Sequence, residues 1–236
     1  MKKELSPLKA ISVFLIFTIY FYLLLYTIYP FVKSKFSLHP TVYWFIIGYC
    51  LFIPIFATAL IGVYKEGNRT FKSILKALNI KKINKKDGIY TILGLIAVFF
   101  FTGNIFGISF LLHKVWNVPL LETTPWFMEI KPMIGTELLL LFVWLPMFFF
   151  NIVGEELLWR GYIQNRLKIK HSWILISFLW LFFHIPFGLD MLIMILPAVI
   201  IVPLIFHKTK NTSIGILIHG IFNGPTFIAV ALGLID

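Results

Sequence analysis

One cysteine, Cys50, and only 10 acidic side chains occur in 236 residues. The single thiol excludes an intrachain disulfide and a multi-cysteine metal site, and it argues against redox chemistry. Charge of either sign is scarce, with Asp, Glu, Lys and Arg at 13% of the chain against roughly 25% in an ordinary soluble domain. That scarcity excludes a cytosolic enzyme, because too little polar surface remains to cover a globule of this size in water. What is present is apolar: 59% of the residues are hydrophobic, 18% are aromatic with 26 Phe, and the mean hydropathy is +0.91. The solvent that fits this composition is lipid. The net charge of +11 does not point to nucleic acid, since the Lys and Arg lie between long apolar runs rather than on a basic face with interleaved aromatics. A lipid bilayer is the expected partner, and the charge is read as membrane orientation.

Seven charge-free runs, at about 10–32, 42–63, 90–112, 138–154, 173–189, 191–206 and 213–235, each approach the roughly 20 residues that a helix needs to cross the hydrocarbon. The chain therefore reads as all-α, a polytopic membrane protein of about seven transmembrane helices with eight as the alternative, forming one integral membrane domain over 1–236. The fifth and sixth runs are short and are separated only by Asp190, which fits a tight hairpin or a run that does not cross fully. The first run follows Met1, Lys2 and Lys3 but is longer than a signal-peptide core and lacks a small-x-small cleavage site, so it is kept. With the N-terminus inside, seventeen of the 21 Lys and Arg fall on the inner side, which places the N-terminus in the cytoplasm and the C-terminus outside. In the polar loop 65–87, the stretch TFKSILKALNI spaces apolar residues between lysines, as a helix lying on an anionic leaflet does; a plain solvated linker is the alternative.

The informative residues are those that a membrane span should not contain, because an ionisable group in the bilayer costs several kcal/mol and is a functional candidate by default. The fourth run ends in Asn151, Gly154, Glu155, Glu156, Trp159 and Arg160, the fifth carries Trp180 and His184, and the seventh carries His219 and Asn223. On an α-helix Glu156 and Arg160 are i,i+4 with the acid first, the favourable order for an ion pair. Glu155 then shares a face with Asn151 and Trp159 and is the carboxylate left for chemistry. His219 and Asn223 are also i,i+4, so one helix can aim an imidazole and a carboxamide at one point. Together these are the parts for peptide hydrolysis: a carboxylate to take a proton from water, an imidazole to position that water, and His and Asn donors for an oxyanion. GxSG, GxGD and HExxH are all lacking, so the nucleophile, aspartyl and metalloprotease routes have no motif here. No cofactor is needed on this reading, although Glu155, His184 and His219 could also hold a catalytic zinc.

Glu155-Glu156-x-x-x-Arg160, an aromatic-x-x-x-His184 and His219-x-x-x-Asn223, in that order on three hydrophobic helices, resemble the CPBP (Abi) family of intramembrane proteases, which includes the type II CAAX prenyl endopeptidases. The resemblance covers 151–225. It implies an endopeptidase whose site lies in the membrane between helices, in which Glu155 activates the water, His184 helps to hold it, and His219 with Asn223 forms the oxyanion hole. Glu156 and Arg160 shape the site, and the substrate is a peptide or protein entering from the cytoplasmic side. The family usually has Phe where this chain has Trp180, a difference that bears on the substrate pocket rather than on hydrolysis.

Two other function classes stay open: a non-catalytic bacteriocin self-immunity or scaffold protein that retains the fold, and a proton-coupled transporter, which lacks the paired broken helices or repeated halves that would support it. The abundance of Lys, Ile, Phe and Asn suggests an AT-rich bacterial genome and a plasma membrane location. Bland readings accompany several positions. Cys50 reads as a small buried hydrophobe, Trp180 as lipid-facing, and Asn104 and Asn151 as hydrogen-bonding across helices. His39, His113, His171 and His207 read as interfacial anchors. The depths of Glu155 and His184 match only if the fourth helix starts nearer Trp144 and runs on, tilted, through Trp159 and Tyr162 to Leu167, with the site in the inner half of the bilayer.

Overall fold

The computed structural model describes residues 3–234, so Met1, Lys2 and the last expected span residue, Ile235, lie outside the described residues. Within them the chain is all-helical, with one isolated bridge, Leu5 to Leu167, and no strand. We number the helices α1 (Pro7–Lys35), α2 (Pro40–Lys65), α3 (Phe71–Ala77), α4 (Lys85–Trp116), α5 (Gly135–Gln164), α6 (Ser172–Phe183), α7 (Leu189–Thr209) and α8 (Thr212–Ala231). All but α3 and α6 are long and apolar enough to cross a bilayer. The polytopic all-α expectation therefore holds, while the fifth expected run gives a helix of only 12 residues, about 18 Å at the α-helical rise. A short 3₁₀ turn, Ile185–Phe187, follows, and Gly188 at φ +95° ends it.

The starts and stops follow local chemistry. Ser6 caps α1, Asn84 forms a capping box with Asp87 at α4, and Asn211 caps α8, each satisfying a backbone N–H that the first turn leaves open. Asn117 and Lys210 close α4 and α7 in the left-handed conformation, the usual way in which a last turn is stopped. Two stretches depart from α geometry: Leu24–Ile28 in α1 and Glu156–Gln164 in α5 are π-helical. Such i to i+5 turns are rare and concentrate at functional sites.

Hydrogen bonds and ion pairs sort the loops into two ends. At one end Leu5 N–H donates to Arg166 O, Glu66 pairs with Arg166, Glu4 pairs with Lys168, and Thr212 bonds the turn after α3. At the other, Lys33 and Tyr29 meet Glu129, Trp126 Nε1 donates to Pro186 O, Glu122 N–H donates to Asp190, and Met133 N–H donates to Ala231 O. The first end holds most of the lysines, and we call it the basic end. Although α6 is short it still runs between the two ends, because the 117–134 connection dips inward to meet it. Phe127 is fully buried against Phe21, Trp44 and Phe187.

The core lies between α1, α2, α5, α6, α7 and α8, and glycines set the close approaches. A Cβ at Gly48 would meet Met147, and one at Gly94 would meet Ile205 and Ile218. Outward faces are apolar too: Ile92, Ile96 and Phe100 on α4 and Phe142 on α5 are each more than half exposed, as a lipid-facing surface requires. This corrects one expectation, since Cys50 is exposed rather than buried. A small apolar residue suits a lipid-facing position as well as a core one. Asn104 is corrected as well: its amide donates to Phe100 O one turn back on its own helix rather than across helices.

Candidate active site

The central helix is α5. It passes Trp159 and Tyr162 as the depth argument required, but spans Gly135–Gln164 rather than starting nearer Trp144 and reaching Leu167. Its 30 residues exceed the roughly 20 that span the hydrocarbon, so it tilts or projects. The π-helical stretch begins directly after Glu155, at the turn that carries both acids.

Glu155, Glu156, Arg160, His184 and His219 converge there and are all buried. Glu155 Oε2 accepts from two indoles, Trp180 Nε1 at 2.7 Å and Trp159 Nε1 at 3.3 Å. Its Oε1 takes no hydrogen bond from any described residue, and no cation pairs with it. Glu156 divides its two oxygens: Oε2 lies 3.3 Å from Arg160 Nε, and Oε1 accepts from His219 Nδ1 at 3.1 Å. The expected Glu156 and Arg160 pair is thus present, and His219 joins it. Arg160 has no exposure, none of its nitrogens makes a well-directed hydrogen bond with a described residue, and its Cζ lies over the Trp180 ring, 3.5 Å from the centroid. Stacking of this kind recovers about 2 kcal/mol when the cation is desolvated.

His184 is held at the end of α6, where its Nδ1–H donates to Trp180 O at 2.8 Å. It lies within electrostatic reach of Glu155, His219 and Arg160. In both imidazoles Nδ1 is therefore occupied, and Nε2 is the nitrogen left to face a reacting group. Close approach of α8 depends on Gly215, one turn before His219, where a Cβ would come within 2.3 Å of Glu156 Oε2.

Asn223 is the exception. It lies on α8 one turn beyond His219, but it is exposed and makes no hydrogen bond with any described residue. On the same helix, Ile216 and Gly220 line an apolar groove of ≈ 490 Å³ shared with Leu145, Phe149 and Ile152 of α5. Asn151 Oδ1 is buried without a partner, rather than bonded across helices.

Trp180 is the largest correction. It is 2% exposed and does not face lipid. It touches Glu155, Arg160 and His184 directly, and its ring stands edge-on to His219 with centroids 5.2 Å apart. The signal was in the sequence, since Trp180 is i−4 to His184 just as Trp159 is i+4 to Glu155. Trp159 in turn stacks on Phe14 of α1 at 4.0 Å, which ties the first helix to the site. Trp180→Phe is expected to leave a six-membered aromatic ring in the site while deleting the N–H together with the five-membered ring that carries it. Turnover should then fall about tenfold with little change in KM, because one neutral hydrogen bond to a carboxylate is worth about 1.5 kcal/mol. Steady-state kinetics on a peptide substrate measures this, and a rise in KM alone would make Trp180 a substrate contact.

No metal is assigned to this constellation. Among the described residues no three His, Cys, Asp or Glu side chains are grouped to hold an ion, and Glu155 turns one oxygen to two N–H donors. The zinc set Glu155, His184 and His219 does not fit, and Glu155 is best described as a carboxylate held by neutral donors.

The basic end anchors these helices. Arg166 grips Glu66 through two bonds of 2.8 and 2.7 Å and donates to the carbonyls of Gly161 and Tyr162. It is a fully satisfied structural arginine, unlike Arg160.

Neither the curated proteins nor the solved structures provide a match to this chain. The stretch 137–224, which contains all six candidate residues, matches the family model described as type II CAAX prenyl endopeptidase Rce1-like, so over that stretch the protein is similar to those endopeptidases.

Proposed function

We propose that the protein is a membrane-embedded endopeptidase that hydrolyses a peptide bond with water activated by Glu155. The observation that carries this reading is the state of Glu155, whose Oε2 is fixed by Trp180 and Trp159 while Oε1 is unengaged. A carboxylate oriented by neutral donors, with Arg160 within electrostatic reach but not paired to it, keeps one oxygen free to act as a base. His184, with Nδ1–H on the Trp180 carbonyl, offers Nε2 to hold the water on its line of attack. His219 acts on the other side of the scissile carbonyl. With both ring nitrogens protonated, Nε2–H donates to the developing oxyanion while Nδ1–H rests on Glu156, the counter-charge for that ring. Arg160 completes the charge balance at Glu156. Asn223, exposed on the same helix, is the second oxyanion donor on this reading and reaches the carbonyl once substrate lies along α8.

The substrate is a peptide or a membrane-associated protein, and a type II CAAX-like specificity follows from the family resemblance. We place the basic end in the cytoplasm, because loops rich in Lys and Arg resist translocation. That puts the N-terminus inside, the C-terminus outside and substrate entry on the cytoplasmic side of a bacterial plasma membrane. Comparison of membrane peptidomes from cells with the wild-type chain and with Glu155→Gln tests the reading. Peptide termini that appear only with wild type are expected. Identical peptidomes from equal amounts of the two proteins would reject it and leave a non-catalytic immunity or scaffold role.

A further inference from the structure

The segment 66–86 comprises the connection from α2 to α4 and the first two residues of α4, at the basic end. It is longer than a connection between adjacent helices requires, and two features single it out. Its outward face is cationic and carries no free acid. Lys72, Lys76, Lys82 and Lys86 are exposed, while Glu66, its one carboxylate, is taken by Arg166. Within this face stand two large apolar side chains, Phe71 at 78% exposure and Ile83 at 42%. Phe71 opens α3, whose fold is secured by a reciprocal capping box between Thr70 and Ser73. Lysines around protruding apolar anchors complement an anionic lipid surface, in which the anchors enter the headgroup boundary and the ammonium groups meet phosphates.

The inward face of the same segment is a clamp on the two helices that carry the acids and His219. The Leu78 carbonyl accepts from Thr212 Oγ1 at 2.6 Å, and the Asn79 carbonyl accepts from Thr212 N at 2.9 Å. Asn79 Nδ2 donates to Asn165 Oδ1 at 2.7 Å, just past the end of α5. Gly161 of α5 lies so close that a Cβ there would stand 2.8 Å from the Leu78 carbonyl oxygen. Leu78, Asn79 and Thr212 are buried, so the turn after α3 is a wedge between α5 and α8 rather than a solvated linker.

We propose that the cationic face of 66–86 docks on anionic phospholipid in the leaflet at the basic end, and that this contact stabilises the spacing of α5 and α8 through the Leu78–Thr212 clamp. The test uses the full chain in nanodiscs of phosphatidylcholine alone and of phosphatidylcholine with phosphatidylglycerol, and no readout depends on peptide cleavage. Phosphatidylglycerol is expected to raise the thermal unfolding midpoint of wild type, with the gain shrinking as salt is added. The combined variant Lys72→Gln, Lys76→Gln, Lys82→Gln is expected to hold labelled phosphatidylglycerol of the order of a hundredfold more weakly, since each lysine near an anionic surface is worth about 1 kcal/mol, and to lose most of the midpoint gain. Thr212→Val is expected to hold phosphatidylglycerol as wild type does while losing part of the gain, because the Oγ1 bond to the Leu78 carbonyl is deleted and only the backbone bond to Asn79 still joins the segment to α8. A wild-type midpoint indifferent to phosphatidylglycerol would overturn the docking. Equal gains in wild type and the triple-lysine variant would overturn the assignment of the face, and an undiminished gain in Thr212→Val would overturn the clamp.

Discussion

Glu155→Gln is expected to lower turnover by about 10²- to 10⁴-fold, the range that a positioned general base supplies, while expression, insertion and unfolding temperature stay at or above the wild-type level. The two halves of this expectation share one structural cause. Gln has the shape of Glu and its amide oxygen can still accept from Trp180 and Trp159, which now stand 2.7 and 3.3 Å from Oε2. Packing around a side chain that is 2% exposed is therefore kept. The amide nitrogen cannot take a proton from water, so the chemical step is removed alone. Neutralising a buried carboxylate removes a desolvation cost that offsets the lost attraction to Arg160, with which Glu155 forms no ion pair, which is why stability should not fall. Purified wild type and variant, compared on one cleavable peptide and by thermal unfolding in the same lipid, give both numbers. Turnover at the parental rate would remove Glu155 as the base; lost turnover with an early unfolding transition would make it a structural acid.

The sequence exposed the parts of this protein that depend on composition and hid those that depend on direction. Apolar runs bounded by charge locate the long helices, because the bilayer sets a length that sequence must meet. The runs alone could not show where α6 stops, since its end at Phe183 and the 3₁₀ turn from Ile185 to Phe187 both fall inside the fifth apolar run. Hydrophobicity cannot separate a core-facing from a lipid-facing position when both solvents are apolar, which is why the bland readings of Cys50 as buried and of Trp180 as lipid-facing fail. The i,i+4 rule found Glu156 with Arg160 correctly. It could not place Asn223, which is exposed although His219 one turn before it is buried, because spacing along one helix does not show how far its neighbours extend to cover that face. The π-helical stretch from Glu156 carries no compositional signal and was not anticipated. Contacts made between helices, such as Trp180 with Glu155 and Glu156 with His219, needed coordinates.

Arg160→Ala is expected to be the most destabilising single change at the site, about 3–5 kcal/mol, the usual cost of removing one member of a buried ion pair. Glu156 and Arg160 have no exposure, so neither can turn to water when the other is gone. The loss is twofold. Glu156 Oε2 loses its only cation, and Trp180 loses the guanidinium stacked on its face. Activity should fall as well, because Glu156 is then held by His219 alone and the imidazole is pulled toward a structural task. Pairing Arg160→Ala with Glu156→Gln separates the two effects. Neutralising the stranded carboxylate should return a large part of the stability without restoring turnover, since Glu156→Gln takes away the counter-charge of His219. Arg160→Lys should stand between, keeping the charge but not the planar contact with the indole. Denaturation in a defined lipid, with kcat and KM on the same preparations, measures each term. Retained stability with lost activity in Arg160→Ala would mean that the guanidinium serves the substrate instead, and stability unmoved by adding Glu156→Gln would mean that Glu156 is not the group that Arg160 neutralises.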